Sequence, residues 1–132
     1  IAFISDRDGG DDDIFTMTIT GASQTNRTAS SSDNESMINW SPDSSKIAFQ
    51  YDFDNQFDIY TIDSDGTNRT NLTNNASDDY SPYWIDSSNI VFVSTRDSNR
   101  EIYKVNISNL TETNISNNTS EDSLISAFAG MQ

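Results

Sequence analysis

The sequence predicts an all-β protein, a β-propeller of four-stranded antiparallel blades, and three recurring phrases predict it. The first is an apolar phrase, found at Ile1-Ala2-Phe3, Ile47-Ala48-Phe49 and Ile90-Val91-Phe92. The second pairs an acid with apolar residues, at Asp13-Ile14-Phe15, Asp58-Ile59-Tyr60 and Glu101-Ile102-Tyr103. The third is marked by Trp40 and Trp84. The phrases recur in one order at a spacing of about 45 residues, which is typical of propellers and other repeat arrays.

The middle unit shows how each strand is encoded. Its four strands are predicted at residues 37–40, 46–51, 57–62 and 69–73. The second of these is apolar and aromatic on both faces, as a buried strand requires. Ser41-Pro42-Asp43 predicts the turn that precedes it, because proline and small polar residues favour turns. Asp65-Gly66 predicts a tight hairpin, since glycine supplies a positive φ.

The other two units follow the same course. In the third unit we expect strands at residues 80–85, 89–94, 101–106 and 112–116. The first unit starts directly at its second strand, and residues 124–129 lie in the register of a first strand, with Ala127 where tryptophan is expected. We therefore divide the chain into a blade without its first strand (1–36), two complete blades (37–79 and 80–123) and the first strand of a further or closing blade (124–132).

About three blades are too few for a closed propeller, which has roughly 4 to 8. Two interpretations follow. The chain is either a fragment of a larger propeller or half of a six-bladed assembly, in which each of two copies lends its last strand to the other's split blade. The second interpretation predicts self-association.

The composition restricts the chemistry of the protein. Twenty-one acidic residues against seven basic ones give a net charge of −14, which repels phosphate backbones, so no nucleic-acid partner is expected. The chain has no cysteine and no histidine, which excludes disulfides, zinc–thiolate sites and Ser-His-Asp triads. No apolar run approaches the roughly 20 residues that span a bilayer, so no membrane insertion is expected. Nothing distinguishes two carboxylates as a catalytic pair, and we expect no enzyme activity.

Several phrases resemble the TolB-like β-propeller repeat, a relative of WD repeats. The tryptophan turn and following strand of that repeat are matched by Trp40-Ser41-Pro42-Asp43 and Lys46-Ile47-Ala48-Phe49. Its acidic loop is matched by Ser5-Asp6-Arg7-Asp8-Gly9, and its hairpin by Asp65-Gly66-Thr67-Asn68. Departures are confined to single turns, and the resemblance covers essentially the whole chain.

The resemblance implies a function in modest terms. Similar repeats form the propeller of the periplasmic TolB protein, a partner-binding module of the Tol–Pal system. It therefore implies a non-catalytic, protein-binding scaffold located in the periplasm, or secreted or at the cell surface. Two alternatives are the gating propeller of a prolyl-oligopeptidase-like serine peptidase and a calcium-dependent surface or adhesion repeat. The fold alone does not choose among them.

Two acidic loops contain candidate metal ligands. Asp6 and Asp8 in the first unit, and Asp52 and Asp54 in the second, place carboxylates at alternate residues, and Ca²⁺ takes about six to eight oxygen ligands. The pattern lacks the bidentate glutamate of an EF-hand loop, and turn-stabilising hydrogen bonds of aspartate explain it as well. No cofactor is expected unless these loops bind Ca²⁺.

Two arginines share a register in the repeat. Arg7 and Arg96 either pair with acidic neighbours in their blades or line a propeller face where a protein partner docks. Trp40 and Trp84 are interpreted as packing residues beside the first strands. Eleven Asn-x-Ser/Thr sequons recur, several of them in the outer strands, and composition accounts for them by default.

Overall fold

The computed structural model describes residues 1–29 and 33–123, and within them the chain forms eleven β-strands. In chain order these are β1 (Ala2–Ser5), β2 (Asp13–Thr16), β3 (Thr25–Asn26), β4 (Asn34–Trp40), β5 (Lys46–Phe53), β6 (Gln56–Asp63), β7 (Thr70–Asn71), β8 (Asp79–Trp84), β9 (Asn89–Ser94), β10 (Glu101–Asn106) and β11 (Glu112–Asn114). The strand expected at residues 124–129 lies outside the described residues.

The strands form three antiparallel sheets that follow one another along the chain. The first has the order β1-β2-β3, the second β4-β5-β6-β7 and the third β11-β10-β9-β8, so each strand pairs with its neighbours in sequence. We call these sheets the first, second and third blades. The predicted all-β class, with four-stranded antiparallel units, is confirmed in the second and third blades, and the first shows three strands among the described residues.

The central hairpin of the second blade is longer than expected. β5 continues to Phe53 and β6 begins at Gln56, so residues 52–56, which the sequence suggested as a loop, are mostly strand. The turn between them consists of Asp54 and Asn55, which have φ values of 56° and 64°. Positive φ at both positions is the geometry of a type I′ turn, whose twist matches that of the strands and which Asp and Asn adopt readily.

The ends of two other strands also differ from expectation. β4 begins at Asn34 rather than at residue 37, because its first residues pair with the extended end of β5. β7 is limited to Thr70–Asn71, shorter than the expected 69–73. At its end the Thr73 hydroxyl, and not a main-chain carbonyl, accepts the Ile59 N–H at 2.9 Å, so the backbone ladder stops there.

The first strands of the second and third blades carry an irregularity at the same register. The pairing of β4 with β5 shifts between Ser36 and Asn39, and the pairing of β8 with β9 shifts in the same way. Met37 and Ser81 lie inside these bulges with φ values of 50° and 53°. Because non-glycine residues seldom adopt positive φ, the surrounding sheet must hold this backbone in place, and bulges commonly re-aim a side chain.

Each complete blade packs its first strand over the blade before it. β8 contacts β5 and β6, and β4 contacts β1 and β2. Trp84 is buried in a cluster with Ala48 and Ile59 of the second blade, and its Nε1 donates to the Asn39 carbonyl oxygen at 3.1 Å. Burial of apolar surface between blades therefore fixes their mutual arrangement, and Trp84 is a packing residue.

Candidate functional site

The acidic loop of the first blade is stabilised by hydrogen bonds within the blade. The Asp8 carboxylate accepts a hydrogen bond from Asn26 Nδ2 at 3.2 Å, which ties the loop to the outer strand. The Asp6 carbonyl oxygen accepts the Gly10 N–H at 3.1 Å, which closes the turn. Both aspartates are exposed. These contacts give Asp8 a role in the blade that needs no metal.

The other two metal candidates lie in a strand and its turn. Asp52 is part of β5, and Asp54 occupies the type I′ turn. Over residues 1–29 and 33–123, no three carboxylate, histidine or cysteine side chains are grouped so that they could hold a metal ion. The Ca²⁺ site at the four aspartates stays a prediction.

Arg7 stacks on the aromatic pair of its own blade. Its guanidinium carbon lies 5.1 Å from the Phe3 ring centroid and 4.8 Å from that of Phe15. Its Nε donates to Ser5 Oγ at 2.9 Å, and its NH1 donates to Gln24 Oε1. The partners described for Arg7 are thus two aromatic rings and two neutral polar groups.

Arg96 repeats this arrangement in the third blade with charged partners. Its guanidinium carbon lies 4.4 Å from the Tyr103 ring centroid, and its Nε donates to Ser94 Oγ at 2.7 Å. Its NH2 contacts Asp79 at 3.2 Å, and its NH1 donates to Glu112. Arg96 therefore pairs within its blade, which is the first of the two interpretations, and docking at Arg7 or Arg96 stays a prediction.

The second blade achieves the same stacking from a different position. Phe53 follows Phe49 by four residues, as Arg7 follows Phe3, so the loop position no longer carries an arginine. Arg69 takes over from the outer-strand side, and its guanidinium carbon lies 4.1 Å from the Tyr51 ring centroid. Each blade thus keeps one arginine over its aromatic residues, a regularity that the loop phrases alone did not reveal.

A second repeated feature joins the third strand of each blade to the outer strand. In the second blade, Thr73 Oγ1 accepts the Ile59 N–H at 2.9 Å and contacts Asp58 Oδ1 at 3.4 Å, while Asn71 Nδ2 donates to Asp58 Oδ2 at 2.8 Å. We call this arrangement the outer-strand lock. In the first blade the carboxylate is Asp13, the hydroxyl is Thr28 and the main-chain donor is Ile14. In the third blade they are Glu101, Ser116 and Ile102.

The outer-strand lock gives a physical meaning to three of the sequons. Asn26, Asn71 and Asn114 are each followed two residues later by the lock hydroxyl. Their side-chain amides donate to Asp13, Asp58 and Asp97 respectively. The Asn-x-Ser/Thr pattern of the outer strands is therefore a hydrogen-bonding pattern, which composition alone did not suggest.

Two buried carboxylates at the first strands of the second and third blades bind the arginines that stack in those blades, and no repeated phrase pointed to them. Glu35 has no exposed surface; its Oε1 accepts from Arg69 NH2 at 3.0 Å, and its Oε2 lies 3.2 Å from Thr28 Oγ1 of the first blade. Asp79, also fully buried, binds Arg96 and accepts from Asn75 Nδ2 at 2.8 Å. We call Glu35 and Asp79 the junction carboxylates. Their spacing of one repeat, each five residues before a tryptophan, is the signal that could have found them.

The junction carboxylate Glu35 has a perturbed pKa. Burial raises the pKa of Glu35 from 4.5 to about 7, although the Arg69 charge and a hydrogen bond with Thr28 oppose the shift. The Thr28 hydroxyl has one proton and also lies 3.1 Å from Asp13, so a protonated Glu35 satisfies both contacts. Glu35 is inaccessible to a substrate, and its position explains a structural role.

An open groove lies beside the two bulges. A cavity of about 340 Å³ is lined by Met37, Gln50, Tyr80, Arg100 and Asp122, among others. A smaller cavity of about 130 Å³ shares Met37 with it. The Met37 side chain is 61% exposed, unusually so for an apolar residue within a strand. We call the two cavities together the inner-strand groove.

These features define the class of protein. Four-stranded meanders follow one another, and each packs its first strand over the preceding sheet, as blades of a β-propeller do. None of the described residues belongs to a helix long and apolar enough to cross a membrane.

Comparison with known families supports the same conclusion. Residues 1–128 match the family described as TolB beta propeller domain, and the chain belongs to this family. The resemblance inferred from the repeat phrases is confirmed. A search of curated proteins returned no match.

Solved structures share the fold. A putative TolB from Agrobacterium tumefaciens superposes with a TM-score of 0.79 at 25% identity, over 92% of this chain and 43% of that one. TolB from Acinetobacter baumannii gives 0.68 at 19%, over 86% and 28%. The tricorn protease gives 0.60 at 22%, over 89% and 11%. The last two likenesses show the fold alone, and the chain spans less than half the length of each of these structures.

Proposed function

We propose that the chain is a non-catalytic, protein-binding scaffold of the TolB propeller type that works outside the cytoplasm, in the periplasm or at the cell surface. Membership in the TolB beta propeller family supports this role and location. The observation that carries the proposal is the inner-strand groove, where the strained bulge at Met37 holds an apolar side chain in solvent. Methionine is adaptable and frequent on protein-binding surfaces, so it suits a docking position.

The rest of the blade structure serves to hold that groove rigid. The outer-strand locks fix the third and fourth strands of each blade, and the junction carboxylates hold the stacked arginines of their own blades. Glu35 also contacts Thr28 of the first blade. A rigid surface loses little conformational entropy when a partner binds, and this favours affinity. The propeller therefore acts by presenting a preformed surface, with no chemical step.

The distribution of carboxylates supports a non-catalytic role. Glu35 has the pKa nearest neutrality, a property common among general acids and bases. It is fully buried and engaged with Arg69 and Thr28, so a substrate cannot reach it. Asp79 is likewise buried and paired. The raised pKa of Glu35 is therefore a consequence of blade packing.

Partner capture with matched variants tests the proposal. The chain would be immobilised and exposed to a cell-envelope extract of the source organism, and retained proteins would be identified by mass spectrometry. We expect a discrete partner to be retained by the wild-type chain and to be lost, by about tenfold or more in affinity, with Met37→Asp. Aspartate tolerates positive φ, so this substitution should preserve the bulge.

The matched control places the same charge elsewhere. Ile19 is 89% exposed in the turn after β2, and Ile19→Asp should leave capture unchanged. Thermal unfolding of both variants would establish that they fold. Equal capture by wild type and Met37→Asp would show that the inner-strand groove is not the docking surface, and absence of any retained protein would count against a binding function.

A further inference from the structure

The hairpin between β5 and β6 differs from the matching loops of the other two blades in one side chain. Arg7 and Arg96 each follow a phenylalanine by four residues and stack on aromatic rings of their own blades. Phe53 occupies this position in the second blade, at the end of β5. Its side chain is 60% exposed, and it is the one aromatic residue among the large apolar side chains exposed in the described part of the chain.

Phe53 extends a stack of aromatic rings into solvent. Its ring lies nearly parallel to that of Tyr51, with 6° between the planes and 6.4 Å between the centroids. Arg69 covers Tyr51, since its guanidinium carbon lies 4.1 Å from the ring centroid. All seven basic residues of the chain lie in its described part, and none of them lies over Phe53. The face of an exposed ring attracts cations, so Phe53 can accept one from another molecule.

The two aspartates beside Phe53 differ from those of other turns. Asp52 precedes Phe53 and Asp54 follows it, and within residues 1–29 and 33–123 neither side chain forms a salt bridge or a hydrogen bond. Asp43 and Asp65, in contrast, accept hydrogen bonds from the turns that they stabilise. The charges of Asp52 and Asp54 are therefore available to an incoming cation.

Other carboxylates lie at the same edge of the second blade. Asp33 accepts a hydrogen bond from the hydroxyl of Tyr51, the ring that stacks with Phe53. The Asp12 N–H of the first blade donates to Asn34 Oδ1 at 3.0 Å, and the backbone of Asn34 pairs with the end of β5. These groups make the edge electronegative, in a chain whose net charge is already −14.

We propose that Phe53 and the carboxylates around it form a docking site for an arginine side chain of a partner protein. The guanidinium stacks on the exposed ring, as Arg69 stacks on Tyr51, and Asp54 balances its charge. Arginine suits this site better than lysine, because its planar guanidinium stacks on aromatic rings and is more weakly hydrated. We call this the Phe53 site.

The occupant of the Phe53 site is a separate partner and not a second copy of the chain. Each arginine of the chain already donates hydrogen bonds within its own copy. A partner with a basic segment is also attracted from a distance by the net negative charge. The site is independent of the inner-strand groove, since Phe53 and the groove residue Gln50 point to opposite faces of β5.

Two peptides of equal charge test the site. The dissociation constants of Gly-Arg-Gly-Arg-Gly and Gly-Lys-Gly-Lys-Gly would be measured by NMR titration of the chain at low salt. We expect wild type to bind the arginine peptide about threefold or more tightly than the lysine peptide. Phe53→Leu keeps an apolar side chain but removes the ring, and it should abolish this preference. Phe53→Tyr keeps the ring and should retain it.

Removal of one charge locates the edge that binds. Asp54→Asn keeps a residue that favours a type I′ turn, and it should weaken binding of the arginine peptide by about twofold or more. Asp43→Asn makes the same charge change before β5 begins, at the other end of that strand, and should have a smaller effect. Thermal unfolding of the variants would establish that they fold.

Four results would overturn the proposal. The first two are no binding of either peptide and equal affinity of wild type for both. The third is a preference for arginine that survives in Phe53→Leu, because another surface would then recognise the guanidinium. The fourth is equal weakening by Asp54→Asn and Asp43→Asn, which would show that the peptide responds to net charge alone.

Discussion

Glu35 differs from the exposed acids of the chain in what surrounds it. Asp43 lies in an open turn, where hydrogen bonds from the side chain of Ser41 and from Ser45 lower its pKa to about 2. Thr67 lowers the pKa of Asp65 in the same way. Glu35 is buried between two blades, and the loss of hydration raises its pKa to about 7. The carboxyl group therefore stabilises a charged turn in one place, and in the other it lies at a buried junction where its charge changes with pH near neutrality.

The pKa of Glu35 predicts a pH dependence of stability. Folding raises this pKa, so between about pH 4.5 and pH 7 the folded chain keeps a proton on Glu35 that the unfolded chain has lost. The contribution of Glu35 to the free energy of unfolding therefore falls as pH rises through this range. Glu35→Gln cannot titrate. We expect the wild-type free energy of unfolding, relative to that of Glu35→Gln, to decrease by roughly 2 to 3 kcal/mol between about pH 4 and pH 8.

Urea unfolding at several pH values measures this difference. The comparison with the variant at each pH cancels the contributions of the other carboxylates. Glu121→Gln is the control, at an exposed residue whose pKa is lowered by Arg100. The wild-type free energy of unfolding relative to that of Glu121→Gln should not decrease as pH rises. A relative stability of wild type and Glu35→Gln that does not change with pH would mean that Arg69 keeps Glu35 ionised.

At the scale of strands, side chains decide where the outer strands end. β7 and β3 have two residues each, and beyond them the lock hydroxyl takes over the role of a main-chain acceptor. This explains why the predicted outer strand of the second blade was too long. A pattern of polar residues does not show whether a backbone or a side chain accepts a given N–H.

Removal of the lock hydroxyl should destabilise the second blade. Thr73 has no exposed surface, and Thr73→Val keeps its shape but leaves the Ile59 N–H without an acceptor. We expect the free energy of unfolding to fall by about 1 to 3 kcal/mol, the cost of a buried unsatisfied donor. Thr70→Val, an exposed substitution on β7, is the control and should change stability little. Similar losses in both variants would show that the hydroxyl of Thr73 has no special role.

The prediction of strands was most accurate where residues close in sequence determine the strand and its ends. β9 and β10 were predicted at their observed bounds because alternation and flanking turn residues define them. The hairpin between β5 and β6 was misjudged because Asp54-Asn55 forms a type I′ turn without glycine. The bulges at Met37 and Ser81 left no local signal either, since positive φ at methionine or serine is imposed by the sheet.

At the scale of the whole molecule, the net charge of −14 is the dominant electrostatic feature. Only four of the 21 acids are buried, and folding brings the others closer together than in the unfolded chain, so they repel one another more strongly in the folded chain. Salt screens such repulsion over about 10 Å at roughly 0.1 M. The stability of the protein should therefore depend on ionic strength.

Thermal unfolding in a salt series tests this expectation. We expect Tm to rise between about 10 mM and 500 mM NaCl, because self-repulsion is screened. At equal low concentrations, MgCl₂ and CaCl₂ should raise Tm to the same extent if the divalent ions act only by screening. A larger rise in CaCl₂ that is lost in Asp6→Asn or Asp52→Asn would instead support the calcium site. A Tm that falls with salt would mean that the ion pairs outweigh the repulsion.

The sequence by itself determined the architecture. The recurrence of apolar, acidic and tryptophan phrases was enough for the all-β class, the blade repeat and the family, because strand alternation and turn chemistry act between near neighbours. Only the tertiary structure showed what the repeated polar residues do. The partner of Glu35 is 34 residues away, and Trp84 bonds to a carbonyl 45 residues away, in another blade. Such contacts depend on how blades stack, and no local pattern carries that information.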